Sequence, residues 1–342
     1  MNKNRIGKLS PDKMEALIGN SLGKKSSDVI IGPGAGLDAA VLKLADGRVM
    51  AIAEDPIFPA PGLPLETFGW FTVHIGASDV AVTGVKPQFM TYTLLLPPSF
   101  SEENTKIIIE SISKAAEDLG ITIVGGHTGW YGAVTVPTVG GVSVWGFADS
   151  DKWISPGGAR DGDSILMTKG PSIEASSLLA ILKKDKLRGR MSDLNIEKLI
   201  GRSNEITVVK DALIVFDSGE VNAMHDATEG GVIGGLWEMS RSSGLPVFAD
   251  FDSVEIPDDI LSISKELNYN PWEAISEGTL LAAVKPGKEK KVMELLKAVG
   301  IESWIFGRFD SSLNKNTIKQ NNHESELICP EEDPFWKLFF GE

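Results

Sequence analysis

Apolar positions along the chain follow two spacings, one typical of strands and one typical of helices. Short apolar runs bounded by turn residues predict strands at 39–44, 48–53, 88–96, 121–124, 139–147, 164–168, 221–224, 279–284 and 301–306. Helical spacing predicts helices at 66–84, 173–184, 230–243 and 287–299, one beginning after Ser10 and one after a capping box at 99–102. Their order predicts a mixed α/β fold.

A segment rich in charges and turn formers, residues 149–163, interrupts this periodic pattern. We therefore expect one domain at 1–150 and a second at 151–312, each large enough to bury a core. Residues 313–342 are mostly polar apart from 336–340, and we expect an irregular C-terminal tail there.

The negative net charge of the chain excludes some classes of binding partner. The chain has 342 residues, with 33 basic and 47 acidic side chains, and therefore a formal net charge of −14. Nucleic acids and anionic membranes are bound by basic surfaces, so we expect neither as a partner. No stretch has the roughly 20 apolar residues of a membrane span, and one cysteine, Cys329, permits no internal disulfide. A cytoplasmic protein is the expectation.

Four acidic residues stand beside glycine-rich or turn-forming sequence, namely Asp38, Asp55, Asp79 and Asp226. Strand and helix ends gather at the mouth of an α/β fold, so these carboxylates are candidates to converge there. Converging carboxylates need a cation, and Mg²⁺ prefers oxygen ligands. The alternative is that each one is a turn, cap or solvated residue.

The glycine-rich loop formed by Gly32, Gly34 and Gly36 precedes a predicted strand and lacks the Lys and Ser/Thr of a Walker A loop. Its backbone N–H groups can still fold over a triphosphate, and a tight turn is the alternative.

The four residues Gly125, Gly126, His127 and Thr128 follow the predicted strand 121–124, where glycines allow a close approach of the backbone. His127 is the first candidate for a catalytic acid, a catalytic base or a hydrogen-bond donor. Thr128 is a candidate for a contact with phosphate. A structural histidine is the alternative, and His225 ranks second because it adjoins an aspartate.

A second glycine pair, Gly230 and Gly231, stands where a predicted strand gives way to a helix. Helix N-termini bind anions, so this segment is a candidate phosphate site. The alternative is a capped helix, with Asp226 or Thr228 as its cap.

Taken in order, these motifs resemble those of the AIR synthase-related, or PurM-like, superfamily. The similar segments are GLDAAV at 36–41, AEDPI at 53–57, GASDVAVTGVKP at 76–87, GGHT at 125–128, HDATEGG at 225–231, SEGTLLAAV at 276–284 and IFGRF at 305–309. The resemblance spans residues 31 to 308, and its second half is similar to the HypE-like branch.

The resemblance implies a homodimer whose N-terminal domains join their sheets and bind ATP and Mg²⁺, with a C-terminal α/β sandwich covering the acceptor. It implies that Asp38, Asp55 and Asp79 hold metal or phosphate, and that the loop Gly32 to Gly36 folds over the triphosphate. Residues 125–128 and 226–231 would flank the transferred group, with His127, Thr128 and Asp226 as catalytic candidates. The implied chemistry is phosphoryl transfer, or activation of an amide or carbonyl oxygen.

Three departures from the family pattern bear on that chemistry. Leu37 replaces the first acid of the GDDAAV segment, and His127 stands where kinase-like members carry Asp. HypE ends in a cysteine that carries a carbamoyl group, whereas the cysteine here is Cys329. A HypE-like relative that acts on a small-molecule acceptor fits better than carbamoyl-to-cyano chemistry.

We therefore expect an ATP- and Mg²⁺-dependent enzyme. The alternatives are a nucleotide-binding accessory or regulatory protein that serves a maturation partner, and a two-domain binding protein for a sugar or amino acid without nucleotide affinity.

Overall fold

The computed structural model describes residues 6–341. The first half forms a sheet of six strands, the first sheet, in the order β1-β2-β3-β6-β4-β5, with only the β4–β5 pair parallel. Its elements are α1 (Pro11–Ile18), β1 (Val29–Ile31), β2 (Ala40–Lys43), β3 (Val49–Ile57), α2 (Leu65–Ala81), β4 (Phe89–Leu96), α3 (Glu102–Leu119), β5 (Thr122–Trp130) and β6 (Thr138–Ala148).

The second half forms a sheet of seven strands, the second sheet, in the order β13-β12-β9-β11-β7-β10-β8. Its strands are β7 (Ser164–Thr168), β8 (Val221–Ala227), β9 (Val247–Asp250), β10 (Thr279–Val284), β11 (Ser303–Phe309), β12 (Thr317–Gln320) and β13 (His323–Glu326). Its helices are α4 (Ile173–Leu182), α5 (Lys184–Leu187), α6 (Asp193–Gly201), α7 (Val209–Asp217), α8 (Gly231–Ser243), α9 (Asp258–Leu267), α10 (Glu289–Ala298) and α11 (Pro334–Phe340). The mixed α/β prediction with two sheets is confirmed.

Helix α2 ties the two halves together. Its sequence is apolar on nearly every face, as expected for a helix surrounded by protein. The helix packs on α3 and the first sheet, and also contacts α7 of the second half. Ser78 of α2 accepts a hydrogen bond from the Val208 backbone N–H at 3.0 Å, and His74 Nδ1 lies 3.0 Å from the Thr207 hydroxyl. One apolar cluster therefore runs through both halves.

Continuous apolar runs identified the central strands of the second sheet. All six residues of β10 are buried, which explains why its sequence shows no alternation. The predicted hairpin at residues 39–53 is confirmed as well: β2 and β3 pair antiparallel, and Gly47 has a φ of +87°.

The prediction of an irregular C-terminal tail is wrong. Strand β12 pairs in parallel with β9, and β13 pairs with β12, so both extend the second sheet. Helix α11 follows, with Asp333 as its N-cap and a buried Phe335. Short polar strands have no hydrophobic pattern from which they could be predicted. They form here because β9, which is distant in sequence, offers a free edge of the second sheet.

Three local predictions also fail. Ser101 rather than Ser99 caps α3, and its side chain accepts the Asn104 N–H. Residues 125–128 lie inside β5 rather than after its end. Gly230, with a φ of +83°, is the N-cap of α8, so neither Asp226 nor Thr228 caps it. Among residues 6–341, no helix has the length and apolarity to cross a membrane.

Candidate functional site

The four aspartates converge between the two halves of the chain. Asp38 precedes β2, Asp55 lies in β3, Asp79 in α2 and Asp226 in β8. Ligand atoms of Asp38, His225 and Asp226 lie within 4.8 Å of one another. Asp79 shares a side-chain hydrogen bond with Asp55 and interacts electrostatically with Asp38 and Asp226. Residues from four separate elements thus form one carboxylate cluster, here called the acidic cluster.

Buried carboxylate oxygens without a partner make this cluster a candidate site for a cation. Asp226 has no exposed surface, and neither of its carboxylate oxygens has a hydrogen-bond partner among the described residues; the same is true of Asp55 Oδ2. Burial and the neighbouring charge of Asp38 raise the pKa of Asp226 to about 7. Burial and Asp55 raise the pKa of Asp79 well above its usual range. An all-oxygen ligand set of this kind fits Mg²⁺.

His225 bridges the two halves of the chain. Its Nδ1 lies 2.7 Å from Asp38 Oδ2, and its Nε2 lies 2.9 Å from Glu238 Oε2 on α8. Burial would lower the pKa of His225, but Asp38 and Glu238 outweigh it and raise that pKa well above its usual range. The imidazole is therefore a charged link that fixes the orientation of Asp38. His225 ranked only second by sequence, yet it is the histidine that contacts the acidic cluster.

The glycine-rich loop lies against α8. Gly36 has a φ of +74°, and a Cβ there would stand 2.5 Å from the carbonyl oxygen of Glu238. Only glycine fits this contact without displacing the backbone. Gly32 and Gly34 are partly exposed, and Gly36 packs on Glu238, the residue whose carboxylate contacts His225.

The N-terminus of α8 already binds a carboxyl group of the chain itself. Asp333 Oδ2 accepts the Gly230 N–H at 2.8 Å, and Oδ1 accepts the Phe335 N–H at 2.9 Å. The Gly231 N–H donates to the Thr228 carbonyl oxygen at 3.0 Å. These glycine amides therefore satisfy protein acceptors in this structure, and their contact with a phosphate stays a prediction.

Residues 125–128 lie apart from the acidic cluster. They belong to β5, the exposed edge strand, and strands β6 and β4 separate β5 from the strand of Asp55. His127 Nε2 contacts the Tyr131 hydroxyl. Gly126 has a φ of +142° and would place a Cβ 2.2 Å from the Tyr92 carbonyl oxygen, so its glycine serves the packing of two strands. Catalytic roles for His127 and Thr128 stay predictions.

Several residues near the cluster escaped the sequence analysis. Glu277 is 2% exposed, its Oε1 has no partner among the described residues, and burial together with Asp226 raises its pKa well above the usual range. Glu277 stands two residues before the start of β10, and its position next to this apolar run is the only sign of it in the sequence. Glu238 and Lys8 belong to amphipathic or polar sequence, where an acid or a lysine is unremarkable.

Cys329 lies close to this region rather than in a remote tail. The neighbouring Pro330 packs near Gly230, and Cys329 interacts electrostatically with Glu238 and Lys8. Burial raises the pKa of its thiol to about 11. At neutral pH the side chain is therefore a protonated thiol and a poor nucleophile.

Curated relatives cover most of the chain. A putative hydrogenase expression/formation protein of Methanocaldococcus jannaschii is 24% identical over 83% of this chain and 83% of its own length. The carbamoyl dehydratase HypE of Azotobacter vinelandii is 24% identical, covering 79% of this chain and 77% of HypE. The selenide, water dikinase of Myxococcus xanthus is 24% identical over 88% of this chain and 90% of its own length.

Solved structures share the fold. A HypE–HypF complex contains a chain with a TM-score of 0.75 and 20% identity, covering 93% of this chain and 99% of that one. A ThiL protein complexed with AMPPCP and TMP has a TM-score of 0.73 and 17% identity, covering 95% and 98%. Residues 36–146 match the N-terminal domain of the family described as AIR synthase related protein, and residues 160–315 match its C-terminal domain. The chain therefore belongs to the AIR synthase related family.

Proposed function

We propose that this protein is an ATP- and Mg²⁺-dependent enzyme that transfers a phosphoryl group to a small-molecule acceptor, or activates an amide or carbonyl oxygen of that acceptor. One observation carries the proposal: carboxylates from both halves converge, and three of their buried oxygens, two on Asp226 and one on Asp55, lack a partner among the described residues. Buried unpaired carboxylates are costly, so their presence points to a ligand that completes them.

Asp38, Asp55, Asp79 and Asp226 would hold the metal. Bound Mg²⁺ supplies charge neutralisation at the phosphates, which is most of what phosphoryl transfer requires. The chain's own contribution is orientation, because His225 links Asp38 to Glu238 and keeps the first carboxylate in place. The loop Gly32 to Gly36 packs on α8 through Gly36 and would cover the triphosphate with its backbone N–H groups.

Relatives support nucleotide chemistry. One solved relative is a HypE in complex with ATP, and another is a ThiL complexed with AMPPCP. The names carbamoyl dehydratase and selenide, water dikinase belong to enzymes. We infer that this chain shares the ATP-dependent class, with an acceptor that its own pocket defines.

The carbamoyl chemistry of HypE is not part of the proposal. Cys329 precedes helix α11, and burial raises the pKa of its thiol to about 11. A half-buried thiol inside a folded segment lacks the reach of a cysteine on a free terminus. We therefore propose a small-molecule acceptor.

We also propose a homodimer formed through the first sheet. Strand β5 is an edge strand, and most of its residues are exposed, including Val124 and Trp130. An exposed edge strand with apolar side chains offers unpaired backbone N–H and C=O groups to a strand of another chain. Pairing of two copies along this face would cover His127 and Thr128, and would give them a role at the nucleotide that a single chain does not provide.

The decisive experiment is nucleotide binding by an aspartate variant. We expect Asp79→Asn to weaken binding of Mg²⁺ with a non-hydrolysable ATP analogue by about tenfold or more, since tenfold corresponds to about 1.4 kcal/mol. Asp185→Asn is the matched control, because Asp185 is 96% exposed and pairs only locally with Arg188. Calorimetry on the folded proteins gives both affinities, and equal affinity for Asp79→Asn and the wild type would contradict the assignment.

A second candidate function is an accessory protein with little turnover, which the structural likeness to the chain of the HypE–HypF complex favours. Steady-state ATP hydrolysis with and without candidate acceptors separates the two. If ATP binds but neither an acceptor nor a partner protein stimulates turnover, the accessory function stands and the enzyme proposal fails.

A further inference from the structure

The N-terminal arm, defined here as residues 6–18, lies against α8 without contributing to the core. Helix α1 in this arm has no buried residue, and the apolar side chains of Leu9 and Leu17 are 45% and 65% exposed. An element with so little buried apolar surface opens at low cost. Its attachment must therefore come from specific polar contacts.

The polar contacts of the arm are made with residues of α8 and with Glu229, which stands just before this helix. The Lys8 backbone N–H donates to Glu229 Oε2 at 2.8 Å, and Lys8 Nζ lies 3.6 Å from Glu238 Oε1. Further along the arm, Arg241 of α8 pairs with Asp12 and Glu15 at 3.3 Å each. The arm thus follows α8 for several turns on its solvent side.

Gly7 makes this attachment specific. Its φ is +105°, and a Cβ there would stand 2.4 Å from Glu229 Oε2 and 2.8 Å from Trp336 Nε1. Glycine alone adopts this backbone conformation easily and leaves room for both neighbours. The backbone at Gly7 therefore places Lys8 against α8, where its ammonium reaches Glu238.

The charge of Lys8 reaches beyond its ion pair. Its ammonium interacts electrostatically with Glu238 and also with Asp38, Asp79 and Asp226. A plain surface ion pair would explain the contact with Glu238 and contribute little. Glu238, however, also binds His225, and His225 binds Asp38, so this ion pair joins the Lys8 ammonium to the acidic cluster.

We propose that Lys8 is the internal counter-cation of the acidic cluster: its ammonium balances the carboxylates while no metal is bound, and Mg²⁺ displaces it together with the N-terminal arm. This inference rests on the proposed function, because it takes the cluster to be the metal site. The Lys8 side chain is 56% exposed, so it can leave without opening the core.

The exchange has a thermodynamic consequence. If only the open arm permits metal binding, the apparent affinity falls by the fraction of molecules in that state. Linkage is reciprocal, so bound Mg²⁺ must loosen the arm by the same factor. An arm that is closed nine-tenths of the time weakens Mg²⁺ binding about tenfold.

The test measures Mg²⁺ binding without nucleotide, by calorimetry on the full chain. We expect Lys8→Met to bind Mg²⁺ about tenfold more tightly than the wild type. Lys13→Met is the matched control, since Lys13 lies on exposed α1 and no ion pair or hydrogen bond joins its ammonium to another described residue. Gly7→Ala is a second variant, which displaces the arm while keeping the lysine, and we expect it also to tighten binding.

Hydrogen exchange supplies a readout independent of affinity. In the wild type, exchange of the Lys8 amide and of α1 should rise when Mg²⁺ is added. Equal Mg²⁺ affinity of Lys8→Met and the wild type would overturn the inference and leave the metal site standing, as would slower exchange of the arm with Mg²⁺. Weaker binding by Lys8→Met overturns it too, because Lys8 would then assist the metal. If neither protein binds Mg²⁺ and Asp226→Asn changes nothing, both the inference and the proposed metal site fail.

Discussion

Replacing Asp333 by asparagine should stabilise the protein more at pH 8 than at pH 5. Asp333 is 5% exposed and accepts the N–H groups of Gly230 and Phe335. Burial nevertheless raises the pKa of Asp333 to about 7, against an ordinary value of 3.8. Its ionised form is therefore less favourable in the folded chain than in the unfolded one.

The sign and size follow from linkage. Because the folded pKa lies above the unfolded one, the unfolded chain releases the proton first, and stability falls as pH rises from about 4 to about 7. Between pH 5 and pH 8 this loss amounts to about 3 kcal/mol for Asp333. An asparagine at this position keeps a capping oxygen and does not titrate. Any cost of its unpaired amide, about 1 to 3 kcal/mol, is the same at both pH values and cancels in the comparison.

The assay is denaturant unfolding of wild type and Asp333→Asn at pH 5 and pH 8 in metal-free buffer. The stability difference between the two proteins should shift by about 3 kcal/mol in favour of the variant at pH 8. Asp252 offers a control that does not titrate in this range: it also accepts two backbone N–H groups, from Asn322 and Asn321, but at the surface, and those bonds lower its pKa. Because Asp252 is ionised in both the folded and the unfolded chain above pH 5, Asp252→Asn should lose nearly the same stability at pH 5 and at pH 8. A pH-independent difference for Asp333→Asn would refute the argument.

Two further predictions concern side chains with contrasting surroundings. The rate of alkylation of Cys329 by iodoacetamide should rise about tenfold between pH 9 and pH 10, because burial raises the pKa of this thiol to about 11. The rate for an ordinary thiol rises only about twofold over the same range. A rate that levels off by pH 9 would contradict this prediction. His127→Ala should lower turnover more than nucleotide affinity, since a positioned acid or base contributes about 10² to 10⁴ in rate; kcat compared with the Kd of an ATP analogue decides, and the reverse pattern would make His127 a binding residue.

Patterns that depend on neighbours in sequence were predictable. The apolar runs of β7 and β10 matched their strands to the residue, because buried central strands need no alternation and end at turn formers. The convergence of Asp38, Asp55, Asp79 and Asp226 could also be predicted, since each stands within the last three residues of an element or just before one, where a fold of this class gathers its functional groups.

Features that depend on distant partners were not predictable. The glycines at 125–126 suggested the end of a strand, but Gly126 serves close packing against Tyr92, so β5 continues to Trp130. Strands β12 and β13 exist because β9 offers an edge, which the local sequence does not show. The place of Lys8 depends on Glu229 and Glu238, more than 200 residues away, and no local pattern signals such a contact.

The position of α2 has a consequence for synthesis of the chain. Ser78 in this helix accepts a hydrogen bond from the backbone N–H of Val208, so the residues that cover this side of α2 are synthesised long after the helix itself. At about 5 to 20 residues per second, the ribosome needs on the order of 10 s to reach them. During that interval the nascent first half presents an apolar helix face to the cell, and we expect it to recruit chaperones until α7 emerges.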